Sequence, residues 1–345
     1  MSFWQELQKK KIEGDSDPAA REHRGCRQPI IGLAPMDGVT DAPFRYMTAK
    51  YGKPDVIYTE FVSVDALHHT KGTERWERVI RAFQYDETER PIVAQIFGSK
   101  PELFADAAKL IEEMGFDGVD INMGCPAKKV SENGAGAGLI RNPELAREII
   151  RVVKGSTNLP VSVKTRVGVD TAREMEEWIV ALMKEEPAAI ALHGRTLRQM
   201  YTGRADWEAI QRAGEIIHEL GGIILGNGDV GSLGEAGERV SEYGVDGVLI
   251  GRASFGNPGV FAGTETDKKQ RVAWMLEHAR KYEQYQYLSD SVEQCLSDEQ
   301  KRRNFLPMRK HLTWYAKGFP GASELRQQLV RCSSVSEVER VVGSI

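Results

Sequence analysis

GVDINMGCPAKKV, residues Gly118 to Val130, is the stretch that decides the fold. Val119 and Ile121 give it the β-branched apolar opening of a buried strand. Gly124, Cys125 and Pro126 then end that strand, because glycine frees the backbone and proline fixes φ and removes a donor. A cysteine at such a corner stands at a strand's C-terminal end, where α/β enzymes carry their chemistry. Taken alone, Cys125 is equally compatible with a small buried hydrophobe.

Similar runs recur on both sides of it. Ile30–Leu33, Val56–Tyr58, Ile92–Ile96, Val161–Val163, Ala189–Leu192, Ile223–Leu225 and Val248–Ile250 are short and apolar, as strands buried on both faces are. Between most of them lie helical patterns. Leu103, Ala107, Leu110 and Ile111 share one helix face, as do Leu145, Ile149, Val152 and Val153. Met175, Ile179, Leu182 and Met183 repeat that spacing, and Ile210, Ala213, Ile217 and Leu220 also keep to one face. A weaker helix is predicted around Val62 to His69. Pro101 and Pro143, each followed by a glutamate, suit first helical turns, and Gly115 and Gly155 suit helix stops. Eight strand–helix units predict an α/β fold, a (β/α)8 TIM barrel. A doubly wound sheet would normally carry G-x-G-x-x-G after its first strand, and IGLAPMDG at Ile31–Gly38 does not match.

After Val260 the strand-like runs stop. Arg271 to Tyr287 and Lys301 to Lys317 read as long helices rich in aromatic and basic residues. The expected organisation is an N-terminal extension over 1–28 with a short helix at Phe3 to Lys11, a barrel over 29–265, and a smaller all-helical domain over 266–345.

At 345 residues the chain exceeds one ordinary small domain. A net charge of −4 excludes a globally basic nucleic-acid binder, but from Phe261 onward 14 Lys/Arg face 11 Asp/Glu, so basic character gathers in the tail. Cys26, Cys125, Cys295 and Cys332 show no C-x-x-C spacing, which argues against a metal site and for a reducing compartment. Neither a signal-peptide core nor a membrane span is visible, so a cytoplasmic protein is expected. Nothing marks an obligate protein partner.

A barrel brings its strand C-termini to one face. Those ends carry Ala34-Pro35-Met36, then Glu60 near the end of strand two, Gln95, Asn122 with Cys125, Lys164 with Arg166, His193, Asn227-Gly228-Asp229 and Gly251-Arg252. Singly, each is compatible with an exposed side chain or a plain turn. Together they set amide and cationic groups beside glycine turns after strands seven and eight, the usual phosphate site of this fold. A phosphorylated cofactor is expected. Beside a flavin, a lysine would stabilise the charge that builds on reduction, and a glutamine would fix the ring.

The sequence resembles the tRNA-dihydrouridine synthases, a flavin-dependent tRNA-modifying family. APMDGVTDAPFR (Ala34–Arg45), INMGCPAKKV (Ile121–Val130), VKTRVG (Val163–Gly168) and ALHGRTLRQMYTGRADW (Ala191–Trp207) carry the resemblance. NGDV (Asn227–Val230), GVLIGRA (Gly247–Ala253) and RKHLTWYAKGFPGASELR (Arg309–Arg326) complete it in family order. The Ala-Lys-Lys after Cys-Pro is similar to one bacterial branch. Carried over, the family's FMN contacts fall on Pro35, Met36, Asp37, Gln95, Lys164, Asn227, Gly228, Asp229, Gly251 and Arg252, with Asn122 and His193 as additions. Asp37 departs from the smaller residue expected in many relatives, so it is expected to contribute backbone.

The resemblance implies reduction of the uracil C5=C6 bond in tRNA. NADPH reduces FMN, hydride passes from N5 to C6, and Cys125 protonates C5. A thiol of ordinary pKa, about 8.5, is mostly protonated at neutral pH and suits an acid. Lys128 and Lys129 are expected to face RNA phosphates. Arg166, Arg195, Arg198 and Tyr201 are candidates for substrate contact, and Arg302, Arg303, Arg309 and Lys310 for tRNA contact from the tail. NGAGAG at Asn133–Gly138 is expected to be a mobile loop over the site. The alternatives are a free-pyrimidine oxidoreductase of the dihydropyrimidine or dihydroorotate dehydrogenase kind, a Schiff-base aldolase using Lys164, and a tRNA-binding folding factor without chemistry.

Overall fold

All eight apolar runs form strands in a computed structural model of the chain: β1 Ile30–Leu33, β2 Val56–Ser63, β3 Ile92–Phe97, β4 Gly118–Met123, β5 Val161–Arg166, β6 Ala189–His193, β7 Ile224–Asn227 and β8 Gly247–Ile250. The structure describes residues 2–13, 29–286 and 297–343; Gly14, Pro18, Gly25, Cys26, Tyr287 and Cys295 lie outside them. The strands close into one parallel barrel in sequence order, with Ile31 of β1 opposite Val248 of β8.

Helices wrap the barrel where the 3.6-residue patterns stand. They are α1 Phe3–Glu13, α2 Ala42–Tyr51, α3 Val64–Thr70, α4 Trp76–Ile80, α5 Pro101–Glu113, α6 Lys128–Ser131, α7 Pro143–Ser156, α8 Met175–Met183, α9 Trp207–Glu219 and α10 Leu233–Tyr243. Their buried faces, such as Phe104, Ala107, Ala108 and Ile111 of α5, join the outward strand residues in the main core. Pro101 and Pro143 do open helices, and Asn142 caps α7 by accepting from the Leu145 N–H.

A second apolar cluster fills the barrel's interior: Ile30, Val56, Tyr58, Val93, Ala189, Leu225 and Leu249, with Trp4 of α1 fully buried among them. The Trp4 and Tyr58 rings lie 6.5 Å apart. The first helix is thus a plug on the barrel core.

The tail has its own core. α11 Lys268–Gln286, α12 Asp298–Phe305, α13 Met308–Tyr315, α14 Ala322–Leu329 and α15 Val335–Gly343 bury Trp274, Met275, Phe305, Leu312, Leu329 and Val338. Met47 of α2 joins that cluster, and Phe255, just past β8, stacks on Trp314 at 4.1 Å. The tail therefore packs on α2 and on the turn after β8.

Four local readings change. Strand two does not end near Glu60: β2 runs to Ser63, because Phe61 and Val62 keep pairing with β3 after a register shift. The helix read at Val62 to His69 starts at Val64, with Ser63 as its cap. Gly155 does not stop its helix but sits in the last turn of α7, in open space. The stretch Lys301 to Lys317 is two helices, since Pro307 lacks an N–H and its ring clashes with the preceding turn.

Candidate active site

The turn after β4 is built from its own side chains. Asn122, 6% exposed, accepts from the backbone N–H groups of Gly124 at 3.1 Å and Cys125 at 2.8 Å. The carbonyl of Cys125 accepts from the Ala137 N–H at 3.1 Å. NGAGAG is accordingly not a loop hung over the site. Gly136 to Ile140 are buried in a short helical turn, and a Cβ on Gly136 would come within 2.9 Å of the Cys125 carbonyl. Glycine is required there by this close approach. Cys125 itself is half-buried and unpaired. Burial, and then Asp37, push its thiol above the ordinary value against the opposing pull of the Ala127 N–H, Arg166 and Lys164. Lys128 and Lys129 are exposed, Lys128 by 84%, and the cations that act most on the thiol are Arg166 and Lys164.

Cations gather at the ends of β5 and β6. Lys164 donates to Asn227 Oδ1 at 3.0 Å, and Asn227 donates to the Leu249 carbonyl at 2.9 Å, so β5, β7 and β8 are tied across the barrel. Burial, helped by Arg166, lowers the Lys164 ammonium to about 8. His193 is held neutral by burial and by Lys164, Arg166, Arg195 and Arg252 around it. Arg166 is 3% exposed; it donates to the Gly124 carbonyl at 2.7 Å and to the carbonyls of Thr196 and Met200, joining the turns after β4 and β6. Arg195, also 3% exposed, sets one guanidinium nitrogen, Nη2, against both Asp229 oxygens at 2.7 and 2.8 Å and donates to the Thr202 and Gly203 carbonyls. Both arginines therefore brace loops, with most of their donors already used inside the protein. Arg198 and Tyr201 are exposed, and Arg198 pairs with Asp170.

The turns after β7 and β8 meet at Asp229, which accepts from Arg195, Arg252 and the Ala205 N–H. Gly228 has φ +125°, and a Cβ there would stand 2.6 Å from the Ala205 Cβ and 3.1 Å from the His193 ring. Gly251 faces Met36, whose Sδ would lie 3.4 Å from an added Cβ. The first and last strand ends are thus neighbours, and Pro35 and Met36 are half-buried while Asp37 is exposed.

In the tail, Arg302 and Arg303 are exposed, and Arg303 pairs with Glu299. Arg309 donates to the Cys332 carbonyl at 2.7 Å. Lys310 reaches the barrel and donates to the Gly38 carbonyl.

Sequence reading gave no role to three groups. Asp120 and Ser162 lie deep in the barrel, bonded to each other at 2.6 Å, with Gln95 on the other Asp120 oxygen at 2.7 Å. A carboxylate between Val119 and Ile121 was the visible signal. Asp41 and Glu60 form an acidic pair beside the first loop, and burial, then Glu60, pushes Asp41 up to about 7. Arg45 and Glu89 make a fully buried ion pair at 2.7 Å. Among the described residues no cluster suits a metal ion, and no helix is long and apolar enough to cross a membrane.

The family model described as dihydrouridine synthase matches residues 32–343. The chain belongs to the dihydrouridine synthase family. Among its relatives, a probable tRNA-dihydrouridine synthase of Staphylococcus epidermidis is 34% identical over 92% of this chain and 94% of its own. The probable tRNA-dihydrouridine synthase 2 of Bacillus subtilis is 35% identical over 92% and 94%. Solved structures share the fold alone. A 2-naphthoyl-CoA reductase aligns with TM-score 0.53 and 10% identity over 68% of this chain and 49% of that one. Histamine dehydrogenase from Rhizobium sp. 4-9 gives 0.50 and 14% over 72% and 48%. The dihydrouridine synthase match runs through the helical tail, which favours a tRNA-modifying enzyme over the free-pyrimidine oxidoreductase.

Proposed function

We propose that this protein reduces the C5=C6 bond of uridine in tRNA, with FMN as cofactor, NADPH as its reductant and Cys125 as proton donor. The observation that carries the reading is the Cys125 thiol, held protonated by burial at the same barrel mouth as Lys164 and the two glycine turns.

The residues present fit FMN. The Gly228 turn has no room for a Cβ, as suits a backbone that must approach a phosphate. Gln95, Asn122 and Lys164 supply amide and ammonium groups for the polar edge of the ring, and His193 adds a neutral imidazole. Asn227, Gly228, Asp229, Gly251 and Arg252 would hold the phosphate end, with Pro35, Met36 and the Asp37 backbone along the first loop. FMN, when bound and reduced, supplies hydride for the uracil ring.

The chain's own part is placement and one proton. Cys125 keeps its proton on Sγ and delivers it to C5. Hydride addition at C6 leaves enolate character at C5, and an un-ionised thiol is an acid at neutral pH. Lys164, at about 8, stays mostly protonated at pH 7 and supplies fixed positive charge. The uridine must leave its stack to enter the barrel mouth. Lys128, Lys129, Arg198, Tyr201, Arg302 and Arg303 are exposed and would meet the tRNA backbone or its bases, Lys128, Arg198 and Arg303 by exchanging surface ion pairs with Glu132, Asp170 and Glu299. Arg166 and Arg195 brace the loop that carries Arg198 and Tyr201, Arg309 braces the turn at Cys332, and Lys310 ties the tail to the first loop. The working compartment is the cytoplasm.

The test uses the full chain with FMN and NADPH on unmodified tRNA transcripts, with dihydrouridine read by mass spectrometry. Formation of dihydrouridine is expected at a defined position. An FMN-loaded protein that leaves every uridine intact would sink the reading.

A further inference from the structure

Below the barrel mouth the buried polar side chains form one directed chain of hydrogen bonds. Ser162 Oγ donates to Asp120 Oδ1 at 2.6 Å, and Gln95 Nε2 donates to Asp120 Oδ2 at 2.7 Å. Asn122 Nδ2 donates to Gln95 Oε1 at 2.9 Å. The N–H groups of Gly124 and Cys125 close the chain on Asn122 Oδ1. Gln95, Asp120 and Ser162 are register partners on β3, β4 and β5, and none is more than 1% exposed. Asn122 lies two residues beyond Asp120, on the same side of the strand and in register with Lys164.

Neither end of this chain can reverse. A backbone N–H only donates, and an ionised carboxylate only accepts. Both amides are therefore fixed: Asn122 turns its oxygen to the Cys125 turn, and Gln95 turns its nitrogen to Asp120. One N–H on each amide, and one lone pair on Gln95, remain for a bound group.

We infer that Asp120 is a positioning residue: it orients Gln95 and, through Asn122, the Gly124–Cys125 turn, so that cofactor edge and proton donor meet in one geometry. This rests on the function proposed above.

The substitutions separate acceptor from bulk. Asp120→Ala leaves Gln95 Nε2 without its buried partner, so the amide is free to turn. Asp120→Asn keeps the polarity, because its Oδ1 can accept from Gln95 while its Nδ2 donates to Ser162 Oγ, whose hydroxyl also accepts. A merely structural Asp120 would change stability without this ordering of variants.

Two readouts are measured on the full chain: the FMN dissociation constant from quenching of flavin fluorescence, and the pH profile of Cys125 alkylation by iodoacetamide in FMN-free protein, followed on the Cys125 peptide. Asp120→Ala is expected to weaken FMN binding about tenfold, as for a buried donor left unmatched. It should also shift the alkylation midpoint down toward that of an ordinary thiol. Asp120→Asn should stay within about twofold of wild type in both, since its hydrogen bonds are kept. Should Asp120→Ala not fold, Asp120→Val carries the same expectation with a strand-forming side chain in the space. An alanine or valine variant that matches wild type in both readouts overturns the inference, as does an asparagine variant impaired like alanine. If wild type itself binds no FMN, the proposed function fails, and the alkylation profiles still decide the role of Asp120.

Discussion

Replacing Gly228 with alanine should damage the site more than its one added carbon suggests. At φ +125° an L side chain is strained, and such outliers cost about 1–3 kcal/mol. The new Cβ would also sit 2.6 Å from the Ala205 Cβ and 3.1 Å from the His193 ring. Neither neighbour retreats freely. The Ala205 N–H is bonded to Asp229 at 2.9 Å, and the imidazole lies 3.3 Å from the Arg195 guanidinium, itself bound to the same carboxylate. Overpacking of this kind adds about 1–3 kcal/mol, for roughly 2–6 kcal/mol in all. Gly237 is the control: it lies in α10 with nothing within 4 Å of an added Cβ, so alanine there should stabilise by about 0.4–1 kcal/mol. Urea midpoints of FMN-free Gly228→Ala, Gly237→Ala and wild type give the comparison, and FMN affinity should fall with Gly228→Ala only. A Gly228→Ala protein as stable as wild type, or less affected than Gly237→Ala, would mean that the turn accommodates a Cβ without strain or overpacking.

Three further outcomes are expected. Trp4→Ala should cost about 3–5 kcal/mol, because the indole is wholly buried in the barrel's interior cluster; a denaturation midpoint unmoved by it would detach α1 from the barrel. Arg45→Met should destabilise by about 3–5 kcal/mol by leaving Glu89 buried without its partner, and the double change Arg45→Met with Glu89→Leu should recover part of that loss. The third concerns pH. Burial raises the Asp120 carboxyl from 3.8 to about 6, so the folded state holds this proton more tightly than the unfolded chain. Its contribution is full below 3.8 and is lost as pH rises through about 6. Asp120→Asn removes that loss and should be up to about 3 kcal/mol more stable than wild type at pH 8, with the gap closing toward pH 4. A gap that widens on acidification would contradict this sign.

The barrel was legible because strands buried on both faces leave an unmixed apolar signature, as in Ile92–Ile96 and Val119–Ile121. The strand ends then named the site's neighbours, since closure of the sheet brings Asn122 onto Gln95 and Lys164 onto Asn227 in hydrogen bonds. What stayed hidden depends on partners far away in sequence. Arg166 and Arg195 read as candidates for substrate contact, and no local pattern reports that carbonyls of other loops and Asp229 take up their donors. NGAGAG read as a flexible loop because glycine is permissive, whereas Gly136 packs closely on Cys125 and Gly138 on Ser131. Trp4 read as part of an extension, since no periodicity reports that one indole will fill a barrel's interior. Asp120 stood in the motif from the start, but its meaning required knowing that Gln95 and Ser162 are its register partners.

In the proposed function Cys125 acts as an acid toward the substrate and takes no part in reduction of the cofactor. Stopped-flow measurement of Cys125→Ala separates the two halves: flavin reduction by NADPH, then oxidation of the reduced protein by tRNA. The first rate should match wild type, and the second should fall by about 10²–10⁴-fold, the usual contribution of a positioned general acid. A Cys125→Ala protein whose reduced form is oxidised by tRNA at the wild-type rate, with dihydrouridine formed, would contradict the assignment.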